Sequence, residues 1–306
     1  MKHLRGQFSK HNPIVYPVAS GKGGTGKSTI VSNFGAYLAL KGYNVVIVDC
    51  DFGGSDLHLF LDVPETEPNL SHYLNGEVST FPKLLLPTCI KGLKIICGGN
   101  EMIGMAYISE KSRNKLINEL IKLDADVVLI DLGAGAGINT LEFFSILNNG
   151  IVVCTPEPHS RINAYGLIKN VIFRSLNNSF GHNEDIRKIL ADFVVGPGRR
   201  DGRICDVVDA IEKIDADISD KISEDLKNFN PCLILNRVRK RSQIGDINNL
   251  INIVRKFLSI ELTNIGFIRS DSVVLESCQK RSLFVIDAAD SQASVDLRRI
   301  SDFKFK

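Results

Sequence analysis

The chain has 306 residues, of which 44% are hydrophobic and 24% are charged, and this balance excludes disordered and collagen-like chains. Its net charge of +2 and pI of about 8.1 do not by themselves indicate a nucleic-acid-binding protein or a protein bound to anionic membranes. No apolar run is long enough to cross a bilayer, and residues 1–13 lack the apolar stretch of a secretory signal. We therefore expect a cytoplasmic protein, with the inner face of the membrane as the alternative location.

Short apolar runs rich in valine, isoleucine and leucine alternate along the chain with longer segments compatible with helices. Because each run is continuously apolar, it predicts a strand that is covered on both faces. The alternation predicts an α/β fold with a doubly wound, mostly parallel sheet and helices on both faces. The predicted strands are Ile14–Ala19, Val45–Val48, Leu93–Cys97, Val127–Ile130, Ile151–Cys154, Cys232–Leu235 and Ile265–Ile268.

We expect a single domain over residues 1–306, with a helical insertion over residues 171–229. The insertion is predicted because this segment is polar and rich in charge, and because it separates two predicted core strands. Its helix-compatible stretches are interrupted at Gly196–Arg200. No internal repeat and no low-complexity tract divides the chain further.

The last residues, 293–306, place Leu297, Ile300 and Phe303 along one face of a helix. An amphipathic membrane anchor would show the same spacing, but acidic residues interrupt the basic ones in this segment. We therefore predict a last helix that docks on the core, in preference to a membrane anchor.

Seven cysteines are scattered along the chain, and no two of them have C-x-x-C spacing. Several lie inside apolar runs, where cysteine acts as a small hydrophobic residue. The pattern weighs against a zinc or iron–sulfur site and predicts reduced thiols. The cysteines are Cys50, Cys89, Cys97, Cys154, Cys205, Cys232 and Cys278.

The residues from Gly21 to Ser28 match the phosphate-loop motif G-x-x-x-x-G-K-[ST], between an apolar strand and a predicted helix. Backbone N–H groups of such a loop, and the start of the following helix, close around phosphate oxygens. We predict that ATP binds here, with Lys27 on the β- and γ-phosphates, Ser28 on Mg²⁺ and Thr29 on a phosphate oxygen. The other predicted nucleotide contacts are Gly21, Gly23, Gly24, Thr25 and Gly26.

Three acidic residues follow predicted strands, at the edge where open α/β sheets bind their ligands. Asp131 follows the fourth run as a Walker B carboxylate would, and Asp49 and Asp51 follow the second. We predict Ser28, Asp49 and Asp131 as Mg²⁺ ligands. One carboxylate of Asp49 and Asp51 can face the nucleotide and orient the attacking water while the other orders the loop, and the residues alone leave this assignment open.

A run of small residues, Gly133–Gly137, follows Asp131. Small residues let a backbone approach the γ-phosphate closely and move when the phosphate leaves. We therefore predict a switch loop at this position.

The phosphate loop carries a second lysine, Lys22, before its glycines, and in this it resembles the deviant Walker A motif of the MinD/ParA family. The resemblance implies an ATP hydrolase that forms an ATP-dependent homodimer, in which Lys22 reaches the ATP of the partner subunit. It also implies catalytic roles for Lys27 and for Asp51, the latter as the residue that orients the attacking water. Asn236 matches the asparagine with which this family binds adenine.

The segment Thr155–Pro158, with Ala164 and Tyr165, resembles the flagellar-number and MinD-like branch of this family. The resemblance implies a slow, partner-stimulated ATPase that acts as a positioning or number-control switch, with a protein activator or cargo still to be identified. The alternatives are a ParA-like DNA-segregation ATPase and an ATPase of metal-cofactor maturation.

Two residues depart from the family pattern: Asp56 replaces an asparagine, and Arg269 replaces a proline beside the adenine. Contact with a membrane or with DNA is less favoured than contact with a protein, because a solvated surface accounts for the basic clusters. These clusters are Arg199, Arg200 and Arg203, and Arg237, Arg239, Lys240 and Arg241.

Overall fold

The structure is a computed structural model that describes residues 12–52, 54, 56–64, 68–99, 108–147, 150–195 and 202–304. The strands in these ranges are β1 Ile14–Ser20, β2 Val45–Cys50, β3 Leu86–Pro87, β4 Leu93–Ile96, β5 Val127–Ala134, β6 Ile151–Cys154, β7 Cys232–Val238 and β8 Thr263–Arg269. They form one sheet of eight strands in the order β3-β4-β2-β5-β1-β6-β7-β8. Every pairing is parallel except that of β3 with β4.

The helices in the described ranges alternate with the strands. They are α1 Lys27–Leu40, α2 Leu70–Leu74, α3 Glu110–Leu120, α4 Ile138–Ile146, α5 Pro158–Phe180, α6 Glu184–Val195, α7 Ile204–Glu212, α8 Ala216–Asn228, α9 Ser242–Leu258, α10 Ser272–Lys280, α11 Phe284–Asp287 and α12 Gln292–Lys304. Short 3₁₀ helices span Leu57–Leu61 and Phe81–Leu84.

Hydrophobic cores lie on both faces of the sheet, as the continuously apolar runs require. Along β2, Val46 and Val48 join the core beneath α3, α4, α5 and α9, whereas Val45 and Ile47 join the core beneath α1 and α12. Successive side chains of a strand point to opposite faces, so each core receives every second residue. The predicted doubly wound α/β fold is therefore confirmed.

Three strands run past the apolar runs that predicted them. Strand β2 continues through Asp49, β5 continues through Asp131 and β7 continues through Asn236. Because Asp49 and Asp131 are register partners on adjacent strands, their backbones stay paired although the residues are acidic. The sheet thus carries these polar side chains into the site at its carboxyl edge.

The described residues between β6 and β7 form four helices, α5 to α8. The predicted insertion, residues 171–229, begins inside α5, where Val171 and Ile172 are buried in the core. Helices α6, α7 and α8 pack against one another and against α5 and α9. The start of the predicted insertion therefore lies within an element that packs on the sheet.

Helix α12 packs against β8 and α1 through Ala293, Leu297 and Ile300, which are at most 1% exposed. This burial agrees with the predicted docked helix; the side chain of Phe303 lies outside the described residues. The described helices include none that is both long and apolar enough to cross a membrane.

Both edges of the sheet are poor at pairing with further strands. At β8, the N–H of Gly266 donates to Asn264 Oδ1 over 3.1 Å, and the N–H of Arg269 donates to Asp296 Oδ2 over 3.0 Å. The opposite edge strand, β3, has two residues, one of which is Pro87. Side-chain capping and a short, proline-containing strand are common ways to protect sheet edges. Strand β3 was not predicted, because two residues carry no periodicity.

Candidate nucleotide-binding site

The phosphate loop connects β1 to α1 and ends at the amino terminus of this helix. Gly26 precedes α1 with a φ of 87°, a left-handed conformation that glycine adopts without strain. None of the described side chains caps this end of the helix, and its first turn contains no acidic residue. The N–H groups from Lys27 to Thr29 therefore have no partner inside the helix and can bind an anionic group.

The loop packs tightly against two neighbouring elements. A Cβ atom at Gly21 would lie 2.1 Å from the carbonyl oxygen of Asn163 in α5. A Cβ atom at Gly26 would lie 2.4 Å from Asn236 Nδ2 in β7. Both distances are too short for any side chain, so these contacts require glycine at both positions.

Asn236 holds the phosphate loop through a direct hydrogen bond. Its Nδ2 donates to the carbonyl oxygen of Thr25 over 2.7 Å, and its Oδ1 accepts from the N–H of Arg237 over 2.9 Å. Both ends of the amide are thus engaged within the chain. The adenine contact of Asn236 stays a prediction.

The remaining loop residues differ in exposure. Gly23 and Gly24 are exposed at the tip of the loop, where an added Cβ would meet nothing within 4 Å. Thr25 is buried, and its hydroxyl has no hydrogen-bond partner among the described residues. Thr29 Oγ1 lies 3.7 Å from Cys278 Sγ, which brings α10 next to the first turn of α1.

Lys27, Ser28 and Asp131 meet at the base of the loop. Lys27 Nζ donates to Asp131 Oδ1 over 2.5 Å, and the two side chains are 6% and 1% exposed. Burial raises the pKa of the Asp131 carboxyl, while the charge of Lys27 and hydrogen bonds from Lys27 and Ser28 oppose this rise. The structure therefore brings together three residues that lie up to 104 positions apart.

Asp49 and Asp51 have different surroundings. Asp49 is 1% exposed, and its carboxylate accepts the N–H of Asp51 over 3.0 Å and the N–H of Leu57 over 3.1 Å. Asp51 faces the predicted switch loop, since its Oδ1 would lie 3.3 Å from a Cβ atom at Gly133. Asp49 thus orders the loop that follows β2. Asp51 lies next to Gly133, the first residue of the predicted switch loop.

The predicted switch loop is connected to both the phosphate loop and α4. The N–H of Gly135 donates to the carbonyl oxygen of Ser20 over 2.9 Å. The hydroxyl of Thr140 donates to the carbonyl oxygen of Gly133 over 3.2 Å. Thr140 was not predicted as a site residue. A threonine in the first turn of a helix after a glycine-rich loop would have been the signal.

Lys22 lies at the rim of the site and is partly exposed. Its carbonyl oxygen accepts the hydroxyl of Ser20 over 2.9 Å, which fixes the backbone at this position. The Thr155 side chain, with the charges of Lys22 and Arg237 contributing, holds the pKa of Glu157 below its usual range. Glu157 precedes α5 and is an acidic neighbour of Lys22. The sequence motifs did not predict a role for Glu157 in the site.

The two residues that depart from the family pattern, Asp56 and Arg269, have different surroundings. Asp56 is exposed and precedes the 3₁₀ helix Leu57–Leu61 without capping it. The guanidinium of Arg269 forms two hydrogen bonds of 2.7 and 2.8 Å with Asp296, which is 1% exposed. Arg269 therefore anchors α12 to the end of β8.

The site has oxygen ligands suited to Mg²⁺. The described residues contain no group of three or more histidine, cysteine or acidic side chains that could hold a metal ion. Mg²⁺ usually takes one or two protein ligands and completes its shell with phosphate oxygens and water. The neighbouring hydroxyl of Ser28 and carboxylate of Asp131 meet this requirement. The role of Asp49 as a third Mg²⁺ ligand stays a prediction.

A parallel sheet with this glycine-rich loop, and with a lysine, a serine and an acid beneath it, defines a P-loop nucleotide-binding protein. The model of the CobQ/CobB/MinD/ParA nucleotide binding domain matches residues 16–284. The chain belongs to this family.

Several curated proteins are similar to the chain over part of their length. The flagellum site-determining protein YlxH of Helicobacter pylori is 31% identical over 64% of this chain and 62% of its own length. The antiactivator FleN of Pseudomonas aeruginosa is 29% identical over 53% of this chain and 57% of its own length. An iron-sulfur cluster carrier protein of Rickettsia felis is 29% identical over 54% of this chain and 55% of its own length. The chain thus spans between about half and six tenths of these relatives.

A solved structure supports the fold over almost the whole chain. The septum site-determining protein MinD of Pyrococcus horikoshii, complexed with Mg-ADP, superposes with a TM-score of 0.66 over 94% of each chain. At 17% sequence identity, this likeness concerns the fold alone.

Proposed function

We propose that the chain is a slow ATP hydrolase that alternates between a monomer and an ATP-dependent homodimer, and that this alternation serves as a positioning or number-control switch. The observation that carries the proposal is the contrast between two lysines of one loop. Lys27 is buried against Asp131, whereas Lys22 lies partly exposed at the rim. The name of the YlxH relative, a flagellum site-determining protein, supports a role at the flagellum. We place the protein in the cytoplasm or at the inner face of the membrane.

Within one chain, the N–H groups of Lys27 to Thr29 bind phosphate oxygens, and the Lys27 ammonium neutralises phosphate charge. Ser28 and Asp131 hold Mg²⁺, which when bound neutralises further phosphate charge. Asp51 accepts a hydrogen bond from the attacking water and orients it toward the γ-phosphate. Asp49 keeps Asp51 in place, because it accepts the N–H of that residue.

In the dimer, Lys22 stabilises the charge that develops on the partner subunit's nucleotide, as an arginine finger does. Exposed isoleucines beside the site support a face-to-face contact. Ile138, 40% exposed, follows the switch loop, and Ile162, 64% exposed, precedes the residue that packs on Gly21. Burial of apolar surface would stabilise such a contact.

The proposal is tested by measuring the mass of the protein in solution with Mg-ADP and with Mg-ATP. Asp51→Ala removes the group that orients the water, so we expect this variant to bind ATP and remain a dimer. Light scattering after gel filtration would give twice the monomer mass for Asp51→Ala with Mg-ATP and the monomer mass with Mg-ADP. A monomer under both conditions would contradict the proposal.

We further propose that the predicted insertion, residues 171–229, contacts a partner protein that activates hydrolysis or is carried as cargo. Its helices α6, α7 and α8 present charged, exposed faces away from the sheet. Affinity capture with ATP-bound Asp51→Ala would enrich the partner, because this variant holds the dimer state. A variant with charge-reversed exposed residues of α8, such as Lys221→Glu, should lose the captured partner and keep ATP binding.

The relative named as an iron-sulfur cluster carrier favours metal-cofactor maturation as the alternative function. Iron and acid-labile sulfide in stoichiometric amounts, at the interface of the purified dimer, would support that alternative. The second alternative, a DNA-segregation ATPase, requires ATP-dependent binding to DNA of any sequence that weakens steeply with salt.

A further inference from the structure

A cavity of about 280 Å³ lies between the helices α4, α5 and α8. Its floor is apolar and buried, since the floor residues are at most 7% exposed. Its rim is polar and more exposed, with three serines, one asparagine and one acidic residue, Asp225, but no basic residue. The floor consists of Val171, Ile172, Leu176, Leu226 and Phe229.

The polar groups at the rim are available to a ligand. No ion pair or hydrogen bond with a described residue involves the side chains of Ser175, Ser179, Asp225 or Asn228. An ionised carboxylate only accepts hydrogen bonds, and it binds a charged donor more strongly than a neutral one. The charge of Asp225 is therefore not neutralised within the described part of the chain.

Three helices end at this cavity. Ser145 lies in the last turn of α4, Ser179 in the last turn of α5 and Asp225 in the last turn of α8. The carboxyl end of a helix carries about half a negative charge, because its last carbonyl groups have no partner within the helix. The last turns of α4 and α5 contain no basic residue, and Lys227 in the last turn of α8 does not line the cavity. Three negative helix ends thus act together with the Asp225 carboxylate, and they favour a cation.

This cavity is distant from the nucleotide-binding site. Helix α5 begins beside the phosphate loop, where Asn163 packs on Gly21, and its second half lines the cavity through Ser175. At 1.5 Å per residue, the two positions on α5 are about 18 Å apart. On the other side of the cavity, Phe229 precedes the amino end of β7, whereas the phosphate loop lies at the carboxyl edge of the sheet. A ligand in the cavity therefore does not occupy the nucleotide site.

We propose that the cavity between α4, α5 and α8 binds a small organic cation, an amine or amidine joined to an apolar body. The apolar body packs on the floor, and the cation binds Asp225 at the rim. The volume lies just below the range of about 300–1,000 Å³ that is typical of sites for drug-sized ligands, so it suits a smaller molecule. An inorganic cation is a poor occupant, because the apolar floor provides no oxygen ligands. The proposal does not depend on the function of the phosphate loop.

The test uses the full chain saturated with Mg-ADP and benzamidine as the probe, in a titration followed by nuclear magnetic resonance of the protein methyl groups. Benzamide is the matched neutral probe, because it has the same ring and nearly the same shape without the charge. We expect saturable benzamidine binding that shifts the methyl signals of Val171 and Leu226 and releases no ADP. Benzamide should bind more weakly by about fivefold or more, because it lacks the charge-assisted hydrogen bond to Asp225.

Three variants test the residues. Asp225→Asn removes the charge with little change of shape, so it should weaken benzamidine binding about fivefold and leave benzamide binding within about twofold. Asp220→Asn, the same change at an exposed acid of α8 outside the cavity, should leave both affinities within about twofold. Ser179→Trp fills the cavity from its exposed rim and should abolish binding of both probes while ADP binding persists.

Four results would overturn the proposal. They are the absence of shifts at the cavity, displacement of ADP by benzamidine, equal affinity for benzamide, and wild-type affinity of Asp225→Asn for benzamidine. A free amine and a basic side chain of a partner protein share this chemistry, so an oligoarginine peptide is titrated in parallel. If the peptide binds more tightly than benzamidine and shifts signals along α7 and α8, the surface fits a protein partner and the proposal of a small ligand is wrong.

Discussion

At the scale of single residues, the two lysines of the phosphate loop have different surroundings, and we propose different roles for them. Lys27 is held by Asp131 at the base of the loop, which suits a role toward the nucleotide of its own chain. We predict that Lys22→Ala keeps ATP binding within a few-fold and lowers hydrolysis about 100-fold or more, since the loss concerns charge in the transition state. Phosphate release at increasing protein concentration measures the effect, and Lys91→Ala is the control on an exposed loop. Turnover of Lys22→Ala at the wild-type rate would disprove the role in trans.

Asp49 gives a second prediction at this scale, on stability. Replacing it by alanine leaves two backbone N–H groups without their acceptor, those of Asp51 and Leu57. Each lost partner of a buried group costs about 1–3 kcal/mol, so Asp49→Ala should lower the free energy of unfolding by roughly 2–4 kcal/mol. Urea denaturation measures the change. Asp56→Ala, an exposed acid nearby, should change it by less than about 0.5 kcal/mol, and equal effects of the two changes would contradict this account.

At the scale of elements, a buried acid links the helix that follows the switch loop to its neighbours. Glu142 of α4 accepts from Arg174 over 2.5 Å and from Asn178 over 3.0 Å, and Arg113 of α3 lies 3.7 Å away. Burial alone would raise the pKa of the Glu142 carboxyl, but the hydrogen bonds and the two arginines outweigh it, so this pKa is lowered. These contacts join α4 to α3 and α5 through one carboxylate.

The lowered pKa makes the contribution of Glu142 to stability depend on pH. Because the folded state favours the charged carboxylate, the contribution is present above the ordinary pKa of 4.5 and is lost as the pH falls below it. Glu142→Gln should lower the free energy of unfolding by about 3 kcal/mol at pH 7 and by clearly less at pH 3.5. Urea denaturation across this range checks the prediction, with the exposed Glu110→Gln as the control. A difference that does not change with pH would disprove it.

The sequence was sufficient to predict the elements that depend on a local pattern of residues. Continuous apolar runs predicted seven of the strands, and the motif placed the phosphate loop between β1 and α1. Contacts between residues far apart in the sequence were not predictable, because they depend on how the helices and strands pack against one another. Examples are the hydrogen bond from Asn236 to Thr25 and the ion pair between Arg269 and Asp296. The different surroundings of Asp49 and Asp51 likewise became visible only with the positions of Leu57 and Gly133.

At the scale of the whole molecule, two exposed isoleucines, Ile138 and Ile162, lie beside the phosphate loop and the predicted switch loop. We predict that Ile162→Glu abolishes the ATP-dependent dimer and keeps ATP binding, because a buried charge at the contact costs more than the contact gains. Ile253→Glu on α9 is a matched control, since Ile253 is 43% exposed and lies on another surface. Light scattering with Mg-ATP measures both variants. A dimer of Ile162→Glu would place the contact elsewhere.

The capped edges of the sheet restrict how copies of this chain can associate. An open strand can act as a template on which further chains add without limit, as in fibres. Here Asn264 and Asp296 occupy hydrogen-bonding positions at one end of the sheet, and Pro87 shortens the strand at the other. The positioning role that we propose would concentrate the protein at one place in the cell, where uncontrolled growth of this kind would be harmful. In the proposed ATP-dependent dimer, protected edges would keep self-association closed and reversible.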